Sequence, residues 1–144
     1  MKSAFKQPED SPGFLLWKLT TKWQKAQRNA LAPLNLTHVQ FAFLASLQWL
    51  SKNQDQPVTQ AQVAEMSKID KMVVSETSRK LLAKKLIRRN KHKMDARSYS
   101  LVLSAKGNQL LDKALPIVEK IDKLFFKEHK DLIARLNQIT SVSS

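Results

Sequence analysis

Five helix starts are written into this chain plainly enough to divide it before composition is considered. Ser11-Pro12 sets a hydroxyl at an N-cap and a proline at the first helical position, where its missing N–H costs nothing. Thr37-His38-Val39-Gln40 and Thr59-Gln60-Ala61-Gln62 are capping boxes, in which a Thr hydroxyl serves the amide three residues on and a Gln reaches back. Asp70 and Ser104 are the remaining two caps. The residues behind each cap carry a helical period. Leu16, Leu19, Trp23, Ala26 and Ala30 recur at three- and four-residue steps from Phe14 until Pro33, predicting a first helix with one buried stripe. Phe41, Leu44, Leu47 and Trp49 predict a second helix to about Leu50, and after a polar loop from Ser51 to Val58, Val63, Ala64 and Met66 predict a short third ending near Ser67.

The fourth helix, from Asp70, has Val74, Thr77 or Ser78, and Leu81 on its inward face, which leaves Met72, Ser75, Glu76, Arg79 and Ala83 on the opposite one. Beyond Leu86 the period changes. Leu86-Ile87-Arg88-Arg89 and Tyr99-Ser100-Leu101-Val102-Leu103 read as two short strands of a hairpin, joined across a polar, basic tip from Asn90 to Ser98. Ser104 then opens a long helix in which Leu111, Ala114, Val118, Ile121 and Phe125 form a stripe and Pro116 makes a kink, and Leu132, Ile133, Leu136 and Ile139 mark a last short helix. The fold class is mainly α with a small β component. At 144 residues with 42% apolar content the chain is long enough for one packed core, taken as a single domain over 12–140 between polar tails at 1–11 and 141–144.

Charge is the outlier, because 25 Lys and Arg face 12 Asp and Glu for a formal net charge of +13. It is localised: residues 58–107 hold twelve basic and four acidic side chains, and Arg79 to Arg97 alone holds nine basic residues against Asp95. A helix that enters a DNA groove beside a basic hairpin needs that distribution, since phosphate neutralisation supplies most of the affinity while a few helix side chains read bases. Other functions are excluded by what is missing. There is no cysteine, so no disulfide, thiolate-bound metal, thiol nucleophile or cysteine redox sensor can be built. Gly13 and Gly107 are the only glycines, too few for a phosphate-cradling loop or dinucleotide fingerprint. His38, His92 and His129 lack the short spacings of a metal site, and no catalytic triad can be argued, so the chain is read as neither an enzyme nor a cofactor protein. No apolar run approaches a membrane span and the start is polar, from which a cytoplasmic protein without a membrane partner is expected.

The order of these elements, with Leu36-Thr37-His38-Val39-Gln40-Phe41, Asp70-Lys71-Met72-Val73-Val74-Ser75, and Asp95-Ala96-Arg97 leading through Leu101-Val102-Leu103-Ser104 to Gly107, resembles the MarR family of bacterial winged helix-turn-helix transcriptional regulators. The resemblance spans about residues 12 to 140. It implies a winged helix-turn-helix part over 37–107 with a two-stranded β wing, and dimerisation helices over 12–36 and 108–140. It also implies contact with double-stranded DNA from Lys71, Met72, Ser75 and Arg79 in the major groove. Arg97 matches the wing arginine of the minor groove, Asp95 the carboxylate that orients it, and Lys91 and Lys93 lie in the same basic wing. Two positions depart from the family pattern: Lys85 stands where glycine is usual, and Glu76 where a basic or polar residue is common, with an intrahelical pair to Arg79 or Lys80 as its first reading and a hydrogen bond accepted from a cytosine amino group as the alternative.

The family also places a crevice for small aromatic effectors between its dimerisation and DNA-binding parts, so Trp17, His38, Phe41 and Trp49 are the candidate pocket for an aromatic or carboxylate effector, with core packing as the competing role of each. The stripe from Leu111 to Phe125, with Leu132, Leu136 and Leu16 or Leu19, is too apolar for a free surface and predicts a homodimer. The function expected is a sequence-specific regulator, a repressor on a pseudo-palindromic operator, nucleoid-associated when bound. Its rivals are a basic winged-helix module that binds RNA or an acidic protein without regulating a promoter, and a peripheral membrane protein.

Overall fold

Each of the five caps closes as a hydrogen bond in the computed structural model, which describes residues 2–91 and 99–142. The Ser11 hydroxyl accepts from the Phe14 amide and opens α1 (Pro12–Leu31). Thr37 accepts from Gln40, whose side chain accepts from the Thr37 amide, and α2 (His38–Asn53) follows. A two-residue strand β1 (Val58–Thr59) runs into the Thr59–Gln62 box and α3 (Gln60–Ser67). Asp70 Oδ1 accepts from the Met72 amide to start α4 (Lys71–Ala83). After β2 (Ile87–Lys91) and β3 (Tyr99–Leu103), the Ser104 hydroxyl accepts from Gly107 and opens α5 (Ala105–Phe126), which runs through Pro116. Last comes α6 (Leu132–Thr140).

The sheet departs from the expected two-stranded hairpin. Among the described residues it has three antiparallel strands in the order β1-β3-β2, with Val58 opposite Leu101 and Ile87 opposite Leu103. Val58, assigned to a polar loop by its neighbours, is buried on the inner side of that sheet. A strand of two residues is too short to show alternation, so only its pairing with β3 reveals it. Helix α2 also runs three residues past the expected Leu50, and a 3-10 turn (Ala32–Leu34) follows α1.

The core lies between α2, α4, the sheet and the first half of α5. Phe43, Leu44, Leu47, Leu81, Ile87 and Leu111 are all essentially inaccessible, each contributing about 1.5–3 kcal/mol by leaving water. Within α4 the inward face is Val74, Thr77, Ser78 and Leu81, so both alternatives at 77 and 78 are buried. Two junctions fix how α4 and α5 meet the sheet. Lys85 takes the left-handed conformation at φ 62°, its N–H donating to Leu82 while the N–H of Leu86 donates to Leu81, both at 3.0 Å. That pattern is a Schellman turn, which explains the family's preference for glycine where this chain has lysine. Gly107, in the first turn of α5, lies so close to the Leu86 carbonyl that a Cβ would stand 2.0 Å from its oxygen. That oxygen accepts from the Ser104 amide, so the approach ties the start of α5 to the end of α4.

Candidate nucleic-acid interface

Burying one face of α4 presents the other. Lys71, Met72, Glu76, Arg79 and Lys80 are exposed, Met72 at 81%, while Ser75 is half-buried at the margin. The three residues from Lys68 to Asp70 turn α3 into α4: Lys68 ends α3 in the left-handed region and Ile69 packs against the core, so the two helices form a helix-turn-helix. The four expected major-groove residues therefore share one helix, three of them fully outward. Glu76 pairs with Lys80 at 3.8 Å, rather than with Arg79, an exposed contact worth a few tenths of a kcal/mol.

Beside α4, β2 adds exposed Arg88 and Arg89, with the Arg89 guanidinium 4.3 Å from the centre of the Tyr99 ring on β3. Neither Arg89 nor Tyr99 stands out in the sequence as a site residue. Their link comes from strand register, which sets Lys91 opposite Tyr99 and Arg89 opposite Leu101. Lys91 closes β2; Lys93, Asp95 and Arg97 lie outside the described residues, and the expected minor-groove contact lies there with them.

The candidate effector residues divide. His38 and Phe41 come together, with the His38 ring edge-on to Trp23 at 4.9 Å and to Phe41 at 6.5 Å. Trp17 and Trp49 are instead exposed, at 73% and 53%. Trp23 Nε1 donates to Asp122 Oδ1 at 2.8 Å, and the same oxygen accepts from Gln27 Nε2 at 3.1 Å. Gln27 Nε2 also reaches the Val118 carbonyl, and Gln27 Oε1 is buried without a partner among the described residues. Burial lowers the His38 pKa below the usual histidine value, against the opposing pull of Asp122. Gln27 and Asp122 carry no signal in the sequence, because one polar residue in an apolar stripe looks like an interruption until its partner is known.

A second face is apolar. Leu15, Leu16 and Leu19 of α1, Leu124 of α5, and Ile133, Leu136 and Ile139 of α6 are all exposed, and no residue of α6 is buried. Two adjoining cavities of about 550 and 260 Å³ share Trp23, Phe126, Leu132 and Leu136 on this face. Leu111 and Ala114, the start of the α5 stripe, turn into the chain's own core instead. Among the described residues no single helix is long and apolar enough to cross a membrane.

Comparison with known proteins agrees with this geometry. Residues 33–122 match the winged-helix domain family described as ArnR1-like. The chain is 44% identical over 124 residues, covering 86% of it and 84% of the relative, to YdcH of Bacillus subtilis (strain 168), described as an uncharacterized HTH-type transcriptional regulator. In fold it is similar to BpsR of Bordetella bronchiseptica, whose DNA binding is regulated by 6-hydroxynicotinic acid, at a TM-score of 0.85 and 19% identity over 97% of this chain and 100% of that one. It is similar also to a mutant MarR from E. coli in complex with operator DNA, at 0.78 and 20% identity over 96% of each chain. These relatives are regulators rather than enzymes. The chain belongs to the ArnR1-like winged-helix domain family and is a helix-turn-helix transcriptional regulator with the fold of the MarR-type regulators.

Proposed function

We propose that this regulator works as a homodimeric repressor on a pseudo-palindromic duplex, with one α4 in the major groove of each half-site. The observation that carries the reading is the division of α4, whose Val74–Leu81 side is buried while Lys71, Met72 and Arg79 face outward beside the exposed Arg88 and Arg89. Lys71 and Arg79 supply charge and, with Ser75, hydrogen-bonding groups at base edges; Met72 supplies an apolar contact suited to a thymine methyl. Arg97, oriented by Asp95, enters the minor groove, and Lys91 and Lys93 hold phosphates. The exposed apolar face of α1, α5 and α6 receives the second copy, which sets the half-sites about 34 Å apart.

Release by a small aromatic or acidic effector completes the reading. It is supported by the half-open aromatic cluster of His38, Trp23 and Phe41 at the junction of α1 and α2, and by the 6-hydroxynicotinic acid control of BpsR. The test is selection of bound duplexes from a random pool at physiological salt. An inverted repeat with half-sites one helical turn apart is the expected outcome; recovery of no consensus, or tighter binding to RNA, would favour the basic-module alternative.

A further inference from the structure

We infer that Glu76 is a specificity residue of this regulator, its carboxylate accepting a hydrogen bond from the exocyclic amino group of a cytosine in the major groove; the inference rests on the groove reading of α4 given above. At 3.6 residues per turn, Met72, Glu76 and Arg79 fall within about 60° of one another around α4, on the side opposite Val74 and Leu81. All three are exposed, so Glu76 meets whatever surface α4 meets at the centre of the face and not at its edge. It is also the one acid there. Among the described residues, the other charged side chains exposed on α4 and β2 are Lys71, Arg79, Lys80, Arg88 and Arg89, and Asp70 is occupied as the cap of α4.

A carboxylate in that place needs a reason, because it repels the phosphates that its basic neighbours attract. The pairing with Lys80 does not supply one. That contact is 3.8 Å, longer than a hydrogen bond, and the side chains of Glu76 and Lys80 are 58% and 63% exposed, so Glu76 keeps its acceptor oxygens for another donor. In the major groove only cytosine and adenine present an amino group, whereas guanine and thymine present acceptors that repel a carboxylate. Adenine sets its N7 acceptor beside the amino group and cytosine offers the donor alone, so cytosine is the base that fits. From Glu76 to Arg79 the helix advances about 4.5 Å, close to the roughly 3.4 Å step between base pairs, so this cytosine adjoins the pair that Arg79 contacts.

The experiment selects duplexes from a random pool with the parent chain, Glu76→Gln, Glu76→Ala, Lys80→Ala and Arg79→Ala, then measures affinity for the parent consensus with each base replaced in turn. The three positions are exposed, so matching melting curves are expected. The parent is expected to select a C·G pair beside the pair whose preference Arg79→Ala alters, and to bind roughly tenfold or more weakly when that cytosine is replaced. Glu76→Gln should prefer adenine there, since an amide pairs with both N6 and N7 of that base. Glu76→Ala should show no preference there, and should bind random duplex more tightly than the parent does. Lys80→Ala breaks the same intrahelical pair from its other end and should leave the base preference as it is. A consensus that Glu76→Ala leaves unchanged, or the same change of preference in Lys80→Ala, would overturn the inference with the groove reading intact; a parent that selects no consensus would remove both.

Discussion

Among single residues, Lys85 and Gly107 answer opposite backbone demands. Lys85 holds a left-handed φ of 62°, which costs an L side chain about 1–2 kcal/mol, whereas glycine loses about 0.5–1 kcal/mol of that advantage to unfolded-state entropy. Lys85→Gly is thus expected to stabilise the protein by about 0.5–1 kcal/mol, read as a rise of about 2–4 °C in Tm. Gly107→Ala should do the reverse. In an exposed helix interior that change is favourable by about 1 kcal/mol, but here the added Cβ meets the Leu86 carbonyl oxygen at 2.0 Å, and overpacking of that kind costs about 1–3 kcal/mol. Gly13→Ala, whose nearest neighbour is the Ser11 hydroxyl at 3.8 Å, is the matched control without a fall in Tm. His38 gives a pH signature. Its folded pKa is depressed by burial, so the unfolded chain takes up more protons once pH falls through about 6.5, and stability declines from there downward. Thermal unfolding at pH 7.5 and 5.5 should show a smaller loss for His38→Gln than for the parent; an equal loss would assign the effect to other groups.

Among the elements, α4 separates reading from holding. Ser75→Ala and Arg79→Ala should each change base preference by about 1–3 kcal/mol at one position of the half-site, whereas Lys93→Ala should weaken cognate and random duplexes alike. Fluorescence anisotropy on both duplexes distinguishes the two, and uniform loss in all three variants would remove α4 from the groove. The inward residues of α4 are legible because Val74, Thr77, Ser78 and Leu81 repeat at helical steps, and the outward set follows as their complement. The Ser75 margin is not, since a half-buried edge depends on how α4 tilts against α2 and α3. The wing sheet shows the same division: β2 and β3 announce themselves by a change of period, while β1 exists because Val58 finds Leu101.

For the molecule as a whole, the apolar face and the basic surface make separate demands. Light scattering at micromolar concentration should return twice the 16.5 kDa chain mass. Leu136→Ala should weaken the dimer by about 2 kcal/mol, roughly thirtyfold in Kd, if a partner buries that side chain. Because Leu136, at 43% exposure, is also partly covered by its own chain, the same substitution is expected to cost the single chain about 1 kcal/mol, so the dimer's loss is read from Kd and not from Tm. DNA affinity should fall with salt at a slope of about −0.9 in log–log terms per phosphate contact, so several contacts per subunit give a steep line.

Local chemistry along the chain was enough to define the helices, their caps, the tandem α3–α4 unit and the location of the basic surface. Capping and helical period are settled within four residues of chain, and charge is counted without knowing any contact. Folding in three dimensions decided what joins distant residues: the union of Trp23 and Gln27 on Asp122, the close approach of Gly107 to Leu86, and the third strand. It also separated Trp17 and Trp49 from the cluster of His38, Trp23 and Phe41, because aromatic residues on adjacent helices meet only where the helix crossing brings their faces together.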